Sequence, residues 1–265
     1  MSTVKLHLTG YGTAQPSPRS GAMTIHIGTA GWTIPRNVAD QFPTEGSSLE
    51  RYAARFNAAE INSSFYRSHR ASTWERWRDS VPAGFRFSVK LPKTITHEAK
   101  LADCEALLDA FVAEVEVLGD KLGALLVQLP PKLDYDETAT DRFFTALRAR
   151  ASTPVACEPR NASWFSPEAD DHLRRLRVAR VAADPARFEG ADRPGGWRGF
   201  AYLRLHGSPV MYRSSYADRI GHYAALLSEH QDAWCIFDNT ASSAATADAL
   251  ALASAVRSLP SPARG

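Results

Sequence analysis

The stretch Val155–Phe165, VACEPRNASWF, decides the reading of the fold. It opens apolar, as a strand buried on both faces does. It then places Glu158 and Arg160 two residues apart and runs into a loop carrying Asn161 and Trp164. Alternate residues of a strand face one side, so Glu158 and Arg160 point together and Cys157 points away. Unpaired buried charge is costly. A carboxylate and a guanidinium at the end of such a strand therefore need partners from neighbouring strands.

Seven other stretches read the same way. Strands are expected at 24–32, 57–66, 85–92, 123–130, 154–160, 179–184, 200–207 and 233–239. Helical periodicity fills most of the gaps: 47–56, the stretch after Ser72, 103–118, 136–150, 166 to about 177, 218–231 and 242–259. Ser47 with Glu50, and Ser72 with Glu75, have capping-box spacing. Ser166-Pro167-Glu168 is a helix start. Residues 185–199 are rich in Gly, Pro and Arg and have no helical period, so one helix is missing after strand six. Strands and helices alternating at roughly 30-residue spacing predict an α/β fold, a (β/α)8 TIM-type barrel irregular after strand six. The runner-up is a doubly wound sheet, which would carry a glycine-rich phosphate fingerprint after its first strand. Gly28-Thr29-Ala30-Gly31 is not that fingerprint, and no nucleotide-cofactor motif is present. Residues 1–22 lack periodicity and read as a flexible extension, with Met23 an alternative start. Residues 23–259 read as one barrel domain and 260–265 as a tail.

Strand parity tests the barrel, because one parity faces the axis and the other faces the helices. Polar residues of one parity gather near the strand ends: Glu60, Asn62 and Ser64; Ser88 and Lys90; Gln128; Glu158 and Arg160; Tyr202, Arg204 and His206; Asp238. Strand one adds His26 and Gly28. Strand six is expected to add Asp184 above Ala182.

These residues resemble a known family. IGTAGW (Ile27–Trp32), AEINSSFYR (Ala59–Arg67), FRFSVKLPKTITH (Phe85–His97), LLVQLPP (Leu125–Pro131), EPRNASW (Glu158–Trp164), YLRLHG (Tyr202–Gly207) and IFDNT (Ile236–Thr240) are similar to the YecE-like proteins, classed as a domain of unknown function. The resemblance covers Met23 to about Leu259. It implies a TIM-barrel-like fold and carries no activity, cofactor or catalytic residue with it. Pro159 stands where members often have Phe, and Ser208–Tyr216 is a thinner version of a segment often rich in Gly and Tyr.

Composition narrows the function classes. Lys plus Arg is 31 and Asp plus Glu is 29 in 265 residues, a net charge of +2. That balance gives no global case for nucleic acid or membrane. No apolar run approaches the roughly 18–20 residues of a membrane span. Three cysteines without a C-x-x-C pair fit a reducing cytoplasm better than a disulfide framework.

The expected function is an enzyme acting on a polar, anionic, possibly phosphorylated small molecule at the C-terminal strand ends. Arg160, Arg204 and Lys90 would hold the anion. Glu158 or Glu60 would move a proton, with His206 as the complementary group. Asn62, Gln128, Asp238 and His97 would add polar contacts, and Trp32, Tyr66, Trp164 and Tyr212 a stacking rim. Hydrolase, isomerase and lyase chemistry all remain open. A structural alternative stands beside each role: the carboxylates as members of an ion-pair network, His206 as a hydrogen-bonded strand residue, the aromatic residues as loop cover. A metal is possible but not favoured, since no H-x-H or H-E-x-x-H spacing occurs. The two other functional readings are a phosphodiester-cleaving or nucleic-acid-binding barrel, and a non-catalytic ligand-binding protein. Cys157 and Cys235, on the outward parity, read as core thiols.

Overall fold

A computed structural model describes residues 23–258. The expected extension, 1–22, and tail, 260–265, lie outside the described residues. The chain runs β1 (Thr24–Thr29), α1 (Ser48–Ala53), β2 (Ala58–Ile61), α2 (Ala71–Asp79), β3 (Arg86–Lys90), α3 (Glu105–Val115), β4 (Leu122–Gln128), α4 (Glu137–Arg150) and β5 (Val155–Glu158). It continues through α5 (Pro167–Arg175), β6 (Val178–Arg180), β7 (Ala182–Asp184), β8 (Gly195–Gly196), β9 (Ala201–Leu205), α6 (Ile220–Ser228), β10 (Asp232–Phe237) and α7 (Ala244–Arg257). This is a mixed α/β fold, and no helix stands between β7 and β9, as the composition of that stretch predicts.

Local chemistry sets the helix ends. The Ser47–Glu50 capping box forms, and the Asp136 and Ser166 side chains cap α4 and α5. The second expected box does not form. The helix starts at Ala71, behind Arg70, so Ser72 already lies inside its first turn. α3 stops at Val115, short of the expected Leu118, and a 3-10 turn follows in which Gly119 takes φ 56°. Strand two also stops early. Asn62 caps a 3-10 turn, Ser63–Phe65.

The strands pair into two sheets, β1-β10-β9-β7 and β2-β3-β4-β5-β6-β8. All pairs are parallel except β6 with β8. Regular pairing therefore does not draw the single closed eight-strand ladder of the expectation. The sheets meet at two seams. At one, Val181 donates its N–H to Cys157 O at 2.8 Å while the chain passes from β6, paired to β5, into β7, paired to β9. At the other, Ala30 bridges Glu60, and Gly31 N–H donates to Glu60 O at 2.8 Å.

Side chains extend the second seam. The Asn57 amide accepts from Ile27 N–H at 2.9 Å and donates to Ile25 O at 2.7 Å. The Tyr52 hydroxyl accepts from Thr29 N–H at 2.8 Å and donates to Ala58 O at 3.2 Å. Gly28 allows the approach, since a Cβ there would stand 2.0 Å from Ala58 O.

Two apolar layers result. The larger lies between strands and helices and includes Ile27, Phe87, Val127, Cys157, Leu203 and Phe237. The smaller is enclosed by the strands and holds Ala58, Leu126, Ala156, Val181, Tyr202, Trp234 and Ile236. The expected parity holds for strands two to five, seven and eight. It fails at strand six, where Ala179 and Val181 face inward and Ala182 joins the helix-side layer. Asp184 accordingly points outward, where Arg219 donates to it at 3.0 Å and the Tyr216 hydroxyl at 2.9 Å.

Candidate functional site

The inward parity of β2, β5, β9 and β10 brings four charged groups to one point. Arg204, fully buried at the end of β9, is the hub. Its guanidinium grips both Glu60 oxygens, Nε to Oε2 at 3.0 Å and Nη2 to Oε1 at 2.8 Å. It also donates Nη1 to Glu158 Oε2 at 2.6 Å and Nη2 to Asp238 Oδ2 at 3.1 Å. Its planar fork of donors suits such a set of carboxylates. The Tyr202 hydroxyl closes the lower edge, 3.2 Å from Glu60 Oε2 and 2.7 Å from Ser88 Oγ.

Glu158 is the most heavily engaged acceptor. It takes Gln128 Nε2 at 3.0 Å and Arg160 Nη2 at 3.2 Å besides Arg204. Burial works against its charge, but Arg204 and then His206 hold its pKa well below the usual carboxylate range. His206 lies between two carboxylates, Nε2 3.1 Å from Glu158 Oε1 and Nδ1 3.0 Å from Asp238 Oδ2. Burial disfavours an imidazolium there, yet Glu158 and the bond to Asp238 more than offset it, and the pKa is raised. Asp238 is also held low, against its burial, by Arg204.

Above this centre the balance of charge changes. Arg160, two residues beyond β5, pairs with Glu158 as its one carboxylate among the described residues. Burial disfavours its charge, but Glu158 and the neighbouring Tyr212 hydroxyl raise its pKa. Lys90, at the end of β3, is 5% exposed; its carbonyl accepts from Ser64 Oγ at 2.6 Å, but its ammonium has no hydrogen bond or ion pair among the described residues. Its ammonium lies 4.0 Å from the centre of the Phe65 ring. Burial, then the Arg204 charge, bring its pKa down to about 8, against the pull of Glu60, Glu158 and Asp238. His97 lies on a π-helical turn, Thr94–Glu98, with its ring 5.0 Å from that of Phe65. Partial burial and then Lys90 and Arg160 lower its pKa, which places His97 in the field of both cations.

Two hollows border the group. A small cavity of about 20 Å³ lies beside Glu158, Arg160 and His206, walled by Phe165, Phe188 and Met211. An open cleft of about 500 Å³ touches Glu60 and Asn62 and is lined by Trp32 and Trp77. Asn62 Oδ1 is buried without a hydrogen-bond partner.

Among the expected site residues, Glu60, Glu158, Arg204, His206, Asp238, Gln128 and Arg160 form one connected network, and Lys90 and His97 lie above it. Two residues do not fit the rim reading. Trp164 is 1% exposed, packs in the helix-side layer and donates Nε1 to Leu133 O at 2.9 Å, so it is a core residue. Tyr66 is 69% exposed and turns outward beside Phe65. Sequence reasoning passed over Phe65, the ring under Lys90; its only signal is its place in the NSSFYR run after β2. It also gave Tyr202 no role at the site, although Tyr202 shares the inward parity of Arg204. Tyr212, one of the residues expected at the rim, stands with its ring edge-on 5.9 Å from that of His206. Among the described residues no group of three or more His, Cys, Asp or Glu side chains is placed to hold a metal ion. No helix among them is long and apolar enough to cross a membrane.

Comparison with known proteins fits this architecture. Residues 26–264 match the family described as "Protein of unknown function DUF72". The UPF0759 protein YecE of Escherichia coli K12 is 35% identical over 106 residues, 40% of this chain and 38% of that protein. The UPF0759 protein YunF of Bacillus subtilis is 29% identical over 149 residues, 54% of this chain and 53% of that one. The matches thus span about two fifths and about half of these curated relatives. Among solved structures, a DUF72 family protein of Enterococcus faecalis superposes with a TM-score of 0.74 at 19% identity, covering 90% of this chain and 97% of that one. A DUF72 family protein of Thermotoga maritima gives 0.72 at 20% identity, covering 88% and 99%. At those identities the likeness speaks for the fold alone. The family match spans nearly all of the described residues, and the chain belongs to the DUF72 family, the YecE-like proteins of unknown function.

Proposed function

We propose that the protein is an enzyme that binds a small anionic molecule, such as a carboxylate or phosphate ester, at the C-terminal strand ends. The two sheets, in this reading, are arcs of one TIM-type barrel joined at the Val181 and Ala30–Glu60 seams, and barrel enzymes work at that end. One observation carries the reading. The cations at the mouth are matched by fewer protein carboxylates than the arginine below them. Arg204 satisfies three carboxylates; Lys90 satisfies none, and Arg160 shares Glu158 with two stronger partners.

The roles of the two glutamates follow from the same geometry. Glu158 and Glu60 orient Arg204 and His206, and Glu158, held well below the usual carboxylate range by Arg204, is a poor proton carrier at neutral pH. Proton transfer falls instead to His206, whose two ring nitrogens are fixed by Glu158 and Asp238. Arg160 supplies a bidentate clamp at the entrance.

Thermal melts in inorganic phosphate and in 3-phosphoglycerate, paired with calorimetry, test the reading. The melting temperature of the wild type rises with either anion, and Arg160→Ala loses most of that rise. Absence of any shift at millimolar concentrations of both anions overturns the proposal.

A further inference from the structure

Four cationic side chains are buried among the described residues: Lys90, Lys121, Arg180 and Arg204. Three are matched. Lys121 donates to Ala83 O at 3.0 Å and pairs with Asp120 at 3.4 Å. Arg180 pairs with Asp170 at 2.9 Å, and Arg204 with three carboxylates. Lys90 has only the face of Phe65. Isolated buried ammonium is unfavourable and tends to shed its proton. A stabilising role would have supplied a carboxylate within ion-pair distance, and Glu60, Glu158 and Asp238 are all nearby but turned to Arg204 and His206.

We propose that the Lys90 amine is a nucleophile toward carbonyl carbon, forming an iminium with a small aldehyde or ketone whose anionic group is held by Arg160. The substrate class rests on the anion reading above; the nucleophile rests on the isolation of Lys90. An amine desolvated against an aromatic ring and beside a second cation is the usual way to keep a lysine free for such attack. Here the second cation is Arg204, and His97, on the loop after β3, lies within the field of both Lys90 and Arg160. With a pKa of about 8, Lys90 is uncharged in a usable fraction at neutral pH. An exposed lysine is uncharged on the order of 100-fold less.

The step balances without an oxidant or reductant. The nitrogen lone pair forms the C–N bond while the carbonyl π pair moves to oxygen, and one proton passes from nitrogen to oxygen. The hydroxyl of this carbinolamine takes a further proton and leaves as water. Amine, carbonyl and one proton thus become iminium and water.

Borohydride trapping tests the proposal on the full chain. Wild-type protein is incubated with pyruvate, with dihydroxyacetone phosphate, or with acetaldehyde as a neutral probe, then reduced and mapped by peptide mass spectrometry. The expected result is a reduced adduct on Lys90 with an anionic carbonyl, roughly tenfold or more above that on the exposed Lys93 and Lys100. Inorganic phosphate should suppress it. Lys90→Arg, which keeps a cation at the mouth, should give no adduct at that peptide; Lys90→Met should likewise give none and should bind phosphate more weakly. If no carbonyl labels Lys90 although phosphate still raises the melting temperature, the nucleophile is overturned and the anion reading stands. If acetaldehyde labels Lys90 selectively while phosphate and the anionic carbonyls do not bind, the nucleophile stands and the anion reading falls.

Discussion

Arg204 and Lys90 are both nearly sealed from solvent, yet they sit in opposite electrostatic conditions. Around Arg204 every charge has a partner within about hydrogen-bond reach: two glutamates, an aspartate, and through them His206 and Gln128. Around Lys90 there are a ring face and the Arg204 charge, while Glu60, Glu158 and Asp238 act on it only from beyond ion-pair distance. The first region resembles a structural ion-pair cluster, which adds little net stability compared with an apolar core but is costly to break. The second is a site kept under tension, and such unfavourable placements tend to mark function. Burial alone does not separate the two. The direction of the charge balance does.

Mutating the hub should have the largest effect. Arg204→Met strands three buried carboxylates, and we expect a loss of about 3–5 kcal/mol or outright failure to fold, read by chemical denaturation. A loss below about 1 kcal/mol would show that water reaches the cluster and that the contrast is false.

Lys90→Met should move stability the other way. The folded pKa of Lys90 lies below its unfolded value, so the folded state carries a penalty that is complete below about pH 8 and fades as pH climbs to about 10.4. The substitution should therefore stabilise by about 1–3 kcal/mol near pH 7 and by nearly nothing above pH 10, in melts across that range. Destabilisation at pH 7 would mean that Lys90 has a partner in solution.

His206 has the opposite sign. Its folded pKa is raised, so its contribution is complete below about pH 6.5 and is lost as pH rises through the folded value. Wild-type stability should fall over that window with a slope of at most about 1.4 kcal/mol per pH unit, and His206→Gln should flatten it. An unchanged slope in the variant assigns the fall to another group.

The smallest effect on the fold is expected at Arg160. Glu158 keeps Arg204, His206 and Gln128 without it, so Arg160→Ala should cost about 1 kcal/mol or less. Anion affinity should still drop by about tenfold, with Arg160→Lys between the two. Calorimetry against phosphate reads the affinity and a denaturant melt reads the fold. Unfolding of Arg160→Ala would move this residue from the mouth to the structural cluster.

Much of this arrangement is legible in the sequence, and the reason is contrast. Where a strand alternates sharply, as in Tyr202-Leu203-Arg204-Leu205-His206, period two fixes which side chains share a face. The absence of a helix after strand six is legible for the same reason, since residues 185–199 offer no 3.6-residue period. VARVAAD (Val178–Asp184) has small apolar residues on both parities, so its register was set by partners that the local pattern does not contain. Asp184 belongs with Arg219 and Tyr216, more than 30 residues away. Strand ends were equally hidden. Asn62 and Pro159 turn the chain where the polar pattern continues, and Trp164 looks like a rim residue until Leu133 O is found beneath its indole. Composition lists the charges at the strand ends. The division of the carboxylates, which leaves Lys90 out, exists only in three dimensions.

The seam between β1 and β2 carries a further consequence, for association between chains. An unpaired strand edge is a template on which another copy can build. Where β1 faces β2, the backbone of Ile25 and Ile27 would offer such a template, one free acceptor and one free donor two residues apart. The Asn57 amide occupies both, and Tyr52 blocks the next position at Thr29. One carboxamide thus does for this edge what a neighbouring strand does elsewhere, and it guards the chain against edge-to-edge aggregation at the place where its two sheets are least regularly joined.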